Sequence, residues 1–266
     1  MTKIHIETYG KGKPIVLVHG WAMHTGIWRE FARQLAQNYR VTCVDLPGHG
    51  RSEAVDPFTL ERISAALVNA VPDKSCWLGW SLGVTVALDI AARYPEHLSS
   101  LILLAGNPSF IVREAGWPAE TQTHWPGMAV RLLDAFAEQL SENCQTTLLR
   151  FLSLQVNGVD DRKSLLKILK TAVFECDAPD KHTLQGGLDI LKQADLSPVL
   201  SGLGVPVSVI LGGLDTLVPV AVGQKMQQLL PSLELNVIER AGHVPFLSHS
   251  LETAAIISRF MDEQCN

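Results

Sequence analysis

The pentapeptide Gly79-Trp80-Ser81-Leu82-Gly83 constrains this chain most. It follows the apolar run Cys76-Trp77-Leu78 and opens a stretch, Leu82 to Tyr94, whose apolar residues recur at helical spacing. A chain that passes from strand to helix within a residue or two needs small residues on both sides of the turn. A serine held there has its hydroxyl lifted above the sheet. The competing reading is a serine that merely caps the helix beginning at Leu82. The strand immediately before and the amphipathic helix immediately after favour an attacking serine, and they require strands that alternate with helices.

The rest of the chain meets that requirement. Ile15-Val16-Leu17-Val18 ends at His19-Gly20, and Val41-Thr42-Cys43-Val44 ends at Asp45 and the turn residues Pro47-Gly48, so both read as buried strands. Between them Ile27, Trp28, Phe31 and Leu35 place a helix within Ile27 to Asn38. A helical stretch from Leu60 to Val71 and a strand at Leu101 to Leu104 continue the alternation, which implies a mostly parallel, doubly wound α/β sheet. From Pro108 to Ala194 the strand signal stops, and the text becomes Trp/Pro-rich, then helical and charged. Val207 to Leu211 restores the sheet, a last strand spans Glu234 to Ile238, and a closing helix runs from Leu251 to Met261. Residues 1–108 and 195–266 are therefore expected to form one α/β core, with residues 109–194 inserted as a helical cap. With 266 residues, 47% of them hydrophobic, one large domain suffices.

Charge and cysteine content narrow the function classes. A formal net charge of −5 supplies no global attraction for nucleic acid or an anionic membrane. Cys43, Cys76, Cys144, Cys176 and Cys265 are widely spaced and contain no CxxC pair, so neither a disulfide framework nor a zinc site is expected, and a reducing compartment fits. The N-terminal MTKIHIETYGKGKP has no apolar core of signal-peptide type, and no run is long enough to span a bilayer. A cytoplasmic protein without a zinc site is the expectation.

A serine hydroxyl needs a base to take its proton and an acid to orient that base, in the chain order Ser, Asp/Glu, His for this type of sheet. Asp215 follows the strand Val207 to Leu211 through Gly212-Gly213-Leu214, at the carboxyl end where such sheets collect their catalytic groups. A turn aspartate beside glycines is the other reading. His243 follows the last strand within Ala241-Gly242-His243, and its position favours it over His249, His49 and His19. The oxyanion of acyl transfer requires two backbone donors, assigned to Leu82, after the serine, and Trp21, after the first of these strands. The indoles of Trp21 and Trp80 either line the acyl pocket or belong to the core.

His19-Gly20-Trp21, Asp45-Leu46-Pro47-Gly48-His49-Gly50-Arg51-Ser52, the serine pentapeptide and Ala241-Gly242-His243 together resemble the α/β-hydrolase superfamily over the full length. Within it, Trp77 to Gly83, Arg150-Phe151-Leu152-Ser153-Leu154-Gln155 and Gly186-Gly187-Leu188-Asp189-Ile190-Leu191-Lys192 are similar to the pimeloyl-acyl carrier protein methyl ester esterases of biotin synthesis. That resemblance implies hydrolysis of a carrier-bound methyl ester to a carboxylate and methanol, with water as the second substrate and neither cofactor nor metal. It implies a substrate site of Trp21, Ser81, Leu82, Phe151, Leu152, Gln155 and His243. It also implies an acidic acyl carrier protein docked on cap cations, for which Arg150, Arg162, Lys163, Lys167 and Lys170 are the candidates. Val84 departs from the family, which usually has a further glycine there, as does Thr146, at a position usually basic, and the stretch Arg113 to Ala129 is longer than the family pattern.

The residues of the cap can be read independently. On a helix Leu148, Phe151, Leu152 and Gln155 share one face, with Arg150 pointing away. Between Asp161 and Val173, the apolar Leu165, Ile168, Leu169 and Ala172 lie opposite a stripe of Lys163, Lys167 and Lys170. That stripe suits an acidic partner or is an ordinary solvated face. Competing functions are a general short-chain esterase acting on small esters, another hydrolase or lyase of carboxylated metabolites, and a ligand-binding receptor on the same fold. Ser81 excludes the relatives of this fold that attack with an aspartate.

Overall fold

A computed structural model describes residues 2–113 and 125–263. Seven strands form one sheet: β1 (Ile6–Tyr9), β2 (Lys13–Val18), β3 (Tyr39–Val44), β4 (Ser75–Trp80), β5 (Leu98–Leu104), β6 (Val207–Gly212) and β7 (Glu234–Ile238), in the order β1-β3-β2-β4-β5-β6-β7. All neighbours are parallel except β1, which runs antiparallel to β3 with Ile6 opposite Val44. The fold is that of an α/β hydrolase.

Parallel strands buried on both faces need continuous apolar runs, and β2 supplies one from Ile15 to Val18 and β4 one from Cys76 to Leu78. Val16, Val18 and Trp77 pack on one side of the sheet; Ile15, Leu17, Cys76, Leu78 and Trp80 pack on the other. Helices α2 (Leu60–Ala70) and α3 (Leu82–Arg93) cover the first side, together with α8 (Ser197–Ser201) and α9 (Ala221–Leu229). The second is covered by α1 (Arg29–Leu35), α10 (Pro245–Ser248) and α11 (Ser250–Glu263). α3 is buried from Leu82 to Ala91, because it lies between the sheet, α2 and α8.

Two sequence expectations change. Strand β1 has no apolar run or alternation to announce it, since Ile6-Glu7-Thr8-Tyr9 is a short, half-buried edge strand whose two central residues are polar. The helix expected from Ile27 to Asn38 is shorter. A 3₁₀ turn, Thr25–Trp28, precedes α1, and the turn is set by Asp45 Oδ1 accepting the Thr25 N–H at 2.5 Å and by His24 Nδ1 accepting the Gly26 N–H at 3.0 Å.

Between β5 and β6 lie α4 (Val130–Glu142), α5 (Cys144–Gln155), α6 (Arg162–Val173) and α7 (Lys181–Gln193). Both ends of this segment are tied together. The Leu196 N–H donates to Pro108 O at 2.8 Å, and the buried Arg113 donates to Ser109 Oγ at 2.6 Å and to Ala194 O at 2.9 Å. Most of the stretch noted as long, Arg113 to Ala129, lies outside the described residues. The far side of the segment is fixed by Arg29, which chelates Glu175 through both terminal nitrogens (2.5 and 3.2 Å), and by His24 Nε2–H, which donates to Ala172 O. That guanidinium holds the Glu175 carboxyl below its usual range.

At Gly79 a Cβ would stand 2.2 Å from Gly83 O, and at Gly83 one would stand 2.4 Å from Val18 O. Both contacts are with main chain and cannot be relieved by a rotamer change. Gly79→Ala is therefore expected to cost about 2–3 kcal/mol or more of unfolding free energy, measured by urea denaturation; a loss under about 0.5 kcal/mol would contradict the packing.

Candidate active site

Ser81 sits between β4 and α3 with φ 56° and ψ −119°, a conformation that L residues rarely adopt and that costs about 1–3 kcal/mol. The glycine contacts just described make the turn possible. A further one places the neighbouring loop: a Cβ on Gly20 would be 3.1 Å from Ser81 Cβ, so the chain leaving β2 passes directly beside the serine. Being the residue before the first turn of a twelve-residue helix, Ser81 also stands at the positive end of the α3 dipole.

Ser81 Oγ lies 2.9 Å from His243 Nε2, and His243 Nδ1 lies 2.8 Å from Asp215 Oδ2. The carboxylate accepts the Nδ1–H, which leaves the Nε2 lone pair facing the serine hydroxyl, the tautomer a general base requires. Asp215 is itself aimed, since its Oδ1 accepts the N–H groups of Leu217 (2.8 Å) and Val218 (3.0 Å). The two side chains are essentially sealed from solvent, at 1% and 0% exposure. The other candidate histidines are elsewhere: His249 hydrogen-bonds Ser248 Oγ, and His19 and His49 form a buried pair with rings 5.4 Å apart. Burial pushes His49 down to about 4 and His19 well below its ordinary value.

The backbone of His243 is gripped from two directions. Its N–H donates to Gln155 O, at the end of α5, at 3.2 Å, and its carbonyl accepts the Trp80 indole N–H at 2.8 Å. Trp80 is therefore a core aromatic, packed edge-on to Phe246 and Trp28 on the side of the sheet away from Trp21, and it braces His243. Nothing local in the sequence signals either contact. The turn chemistry of Asp215-Thr216-Leu217-Val218 is the one legible part, since an aspartate accepting amides two and three residues ahead is a common turn.

Leu82, as the first residue of α3, has an amide that helix geometry leaves without an intrahelical acceptor. Trp21 is buried at 1% exposure, and among the described residues its main-chain N–H meets no acceptor. Its indole N–H donates to Leu184 O in α7 at 2.9 Å, and its ring meets Phe151 edge-on with centroids 4.9 Å apart. A Cβ on Gly187 would stand 2.6 Å from Trp21 Cδ1, so only a glycine lets α7 lie this close.

Of the residues expected around the substrate, Trp21, Ser81, Leu82, Phe151 and His243 are brought together, and Gln155 joins them through its carbonyl. Leu152 turns to the other side of α5 and packs in the cluster that holds Val156 and Val159. Gln155 Oε1 and both amide atoms of Asn107, just past β5, are buried without a protein partner among the described residues. The candidate docking cations Arg150, Arg162, Lys163, Lys167 and Lys170 are exposed. Arg150 donates to Gln139 Oε1 at 2.9 Å and lies over the Phe136 ring. Ile168, expected among the buried residues of α6, is 46% exposed beside Lys167, because the helix turns its buried stripe toward Leu165, Leu169, Ala172 and Val173. Among the described residues no cluster of His, Cys, Asp or Glu is arranged to hold a metal, and no helix is long and apolar enough to cross a membrane.

Residues 13–250 match the family model described as the alpha/beta hydrolase fold. A pimeloyl-[acyl-carrier protein] methyl ester esterase from Methylococcus capsulatus is 40% identical over 97% of this chain and 98% of its own. Another from Nitrosomonas europaea is 40% identical over 93% and 95%. The chain belongs to this esterase family of α/β hydrolases. Among solved structures, an esterase from Exiguobacterium antarcticum superposes with a TM-score of 0.83 at 23% identity, covering 98% of this chain and 96% of that one. A bromoperoxidase from Bacillus anthracis gives 0.83 at 18% identity, covering 98% and 96%. At that distance the two structures speak for the fold alone.

Two substitutions test the site. Ser81→Ala is expected to abolish ester turnover with the melting temperature preserved. Asp215→Asn, which offers His243 the wrong partner, is expected to lower kcat by roughly 10⁴. Steady-state kinetics on a chromogenic ester reads both, and a Ser81→Ala protein with substantial activity would remove the serine from the mechanism.

Proposed function

We propose that this enzyme, a serine carboxylic ester hydrolase, cleaves the methyl ester of pimeloyl-acyl carrier protein, with Ser81 as nucleophile, His243 as general base and acid, and Asp215 as the orienting carboxylate. The observation that carries the chemistry is the continuous hydrogen-bonded line Ser81–His243–Asp215. The observation that carries the substrate is the full-length kinship to esterases named for it.

In the first half-reaction Ser81 Oγ bonds to the ester carbonyl carbon as His243 Nε2 takes its proton. The tetrahedral oxyanion meets the amides of Trp21 and Leu82, and collapse expels methoxide, which leaves as methanol with the proton from His243. Water then enters, gives a proton to His243 and attacks the acyl-serine. A second oxyanion collapses to the free carboxylate, and the proton returns to Ser81. The products are pimeloyl-acyl carrier protein and methanol, and no cofactor is consumed. Phe151 and Trp21, in edge contact, offer an apolar wall for the methylene chain.

Residues 109–194 act in this reading as a cap. The outer face of α6 presents Lys163, Lys167 and Lys170, which suit an acidic acyl carrier protein. Arg162 opens the same helix, and Arg150, on α5 against α4, is the remaining exposed candidate. The widely spaced cysteines, four of them free among the described residues, suit a cytoplasmic enzyme. A general esterase acting on small esters has no observation of its own in its favour, and a receptor has no use for a complete triad.

The deciding measurement is hydrolysis of the carrier-bound pimeloyl methyl ester beside its ethyl ester and a free short-chain ester. Preference for the carrier-bound methyl ester supports the proposal; equal or better turnover of the free ester overturns it. For docking, Lys163→Glu with Lys167→Glu is expected to raise KM for the carrier-bound ester about tenfold and to weaken its salt dependence. The free ester should be unaffected; an unchanged KM for the carrier-bound ester would remove the stripe from recognition.

A further inference from the structure

We propose that His19 is a positioning residue that sets the oxyanion donor of Trp21 by fixing the plane of the Gly20–Trp21 peptide. The inference rests on the serine-esterase reading and assigns a task to a buried histidine outside the Ser81–His243–Asp215 line.

His19 ends the chain leaving β2 and is fully buried. Both of its ring nitrogens are committed. Nε2 accepts the Leu46 N–H, just beyond β3, at 2.9 Å, so the ring proton resides on Nδ1, and Nδ1–H donates to Gly20 O at 2.8 Å. Burial keeps the ring neutral by pushing its pKa well down, which preserves this one-donor, one-acceptor arrangement. Gly20 O accepts a second bond from the Met23 N–H at 3.3 Å, and the turn it closes contains Ala22 at φ 61°.

In a trans peptide the carbonyl and the following N–H point in opposite directions. Two donors holding Gly20 O on one side therefore present the Trp21 N–H on the other. That N–H meets no protein acceptor among the described residues, and Gly20 lies against the Ser81 side chain. A buried amide without an acceptor, beside the attacking hydroxyl, is the arrangement an oxyanion donor needs, with its orientation settled before the substrate arrives. Without His19 the peptide keeps only the longer Met23 bond and gains freedom to rotate. The indole of Trp21 does not replace His19, because its bond to Leu184 O fixes the side chain and leaves the peptide plane free.

The test separates the two ring nitrogens. An asparagine amide can occupy the place of Nδ1 and donate to Gly20 O; a glutamine amide reaches the place of Nε2 and accepts from Leu46. For hydrolysis of p-nitrophenyl acetate, His19→Ala and His19→Gln are expected to lower kcat roughly 100-fold with KM changed less than about threefold. His19→Asn should recover to within about tenfold of wild type. Inhibition by phenylboronic acid, whose serine adduct places an oxygen at the oxyanion position, should weaken in parallel with kcat. Melting temperatures should fall in all three variants without following that order. Equal kcat in the Asn and Gln variants, or losses of kcat that track melting temperature, would overturn the assignment. A wild-type enzyme that hydrolyses no ester would instead overturn the esterase reading on which it stands.

Discussion

Holding one serine at positive φ is the constraint around which the molecule is organised. The turn at Ser81 is tolerable only if the chain before and after it can approach within a distance that a Cβ would prohibit, and that explains glycine at 79 and 83. The same closeness brings the end of β2 against the turn, so Gly20 and Trp21 reach the serine as a consequence of the packing that permits the turn. Strain in the backbone of Ser81 and the close packing of its surroundings are thus one arrangement seen from two sides.

Parallel strands then do the gathering. Because β2, β4, β6 and β7 run in one direction, the loops bearing Trp21, Ser81, Asp215 and His243 all emerge along one edge of the sheet. The segment between β5 and β6 leaves from that edge too, which puts α5 and α7 where they can touch the site. Two bonds tie it there: Gln155 O accepts the His243 N–H, and Leu184 O accepts the indole N–H of Trp21. That segment is thus hydrogen-bonded both to His243 and to Trp21.

Much of this was legible beforehand, for identifiable reasons. Ser81, Asp215 and His243 were readable because each follows an apolar strand and because the fold orders them along the chain. The spacing of Leu148, Phe151, Leu152 and Gln155 marks the buried residues of α5, but it does not show that Leu152 packs in a different cluster from Leu148 and Phe151. What stayed hidden depends on contacts between distant segments. Trp80 looked equally suited to a pocket or a core, and only the partner of its indole, His243 O, decides. Ile168 fell on the apolar side of α6 by periodicity, yet tertiary packing rotated that side away from it. Strand β1 is illegible in the sequence because a short edge strand can form with two polar residues, Glu7 and Thr8, side by side at its centre. The roles of the two nitrogens of His19 have no counterpart in a one-dimensional reading.

The hydrogen bond from Ser81 to His243 joins residues 162 positions apart, and the one holding Trp80 to His243 spans 163. Contacts of such separation form only when nearly the whole chain has condensed, since each must overcome the entropy of closing a very long loop. Turnover is consequently a reporter of completed folding: a molecule whose central sheet has formed but whose last strand has not docked would look largely native by helix content and yet be chemically silent. Recovery of esterase activity after dilution from denaturant would mark the closing step of assembly and lag behind the signals of its earlier stages.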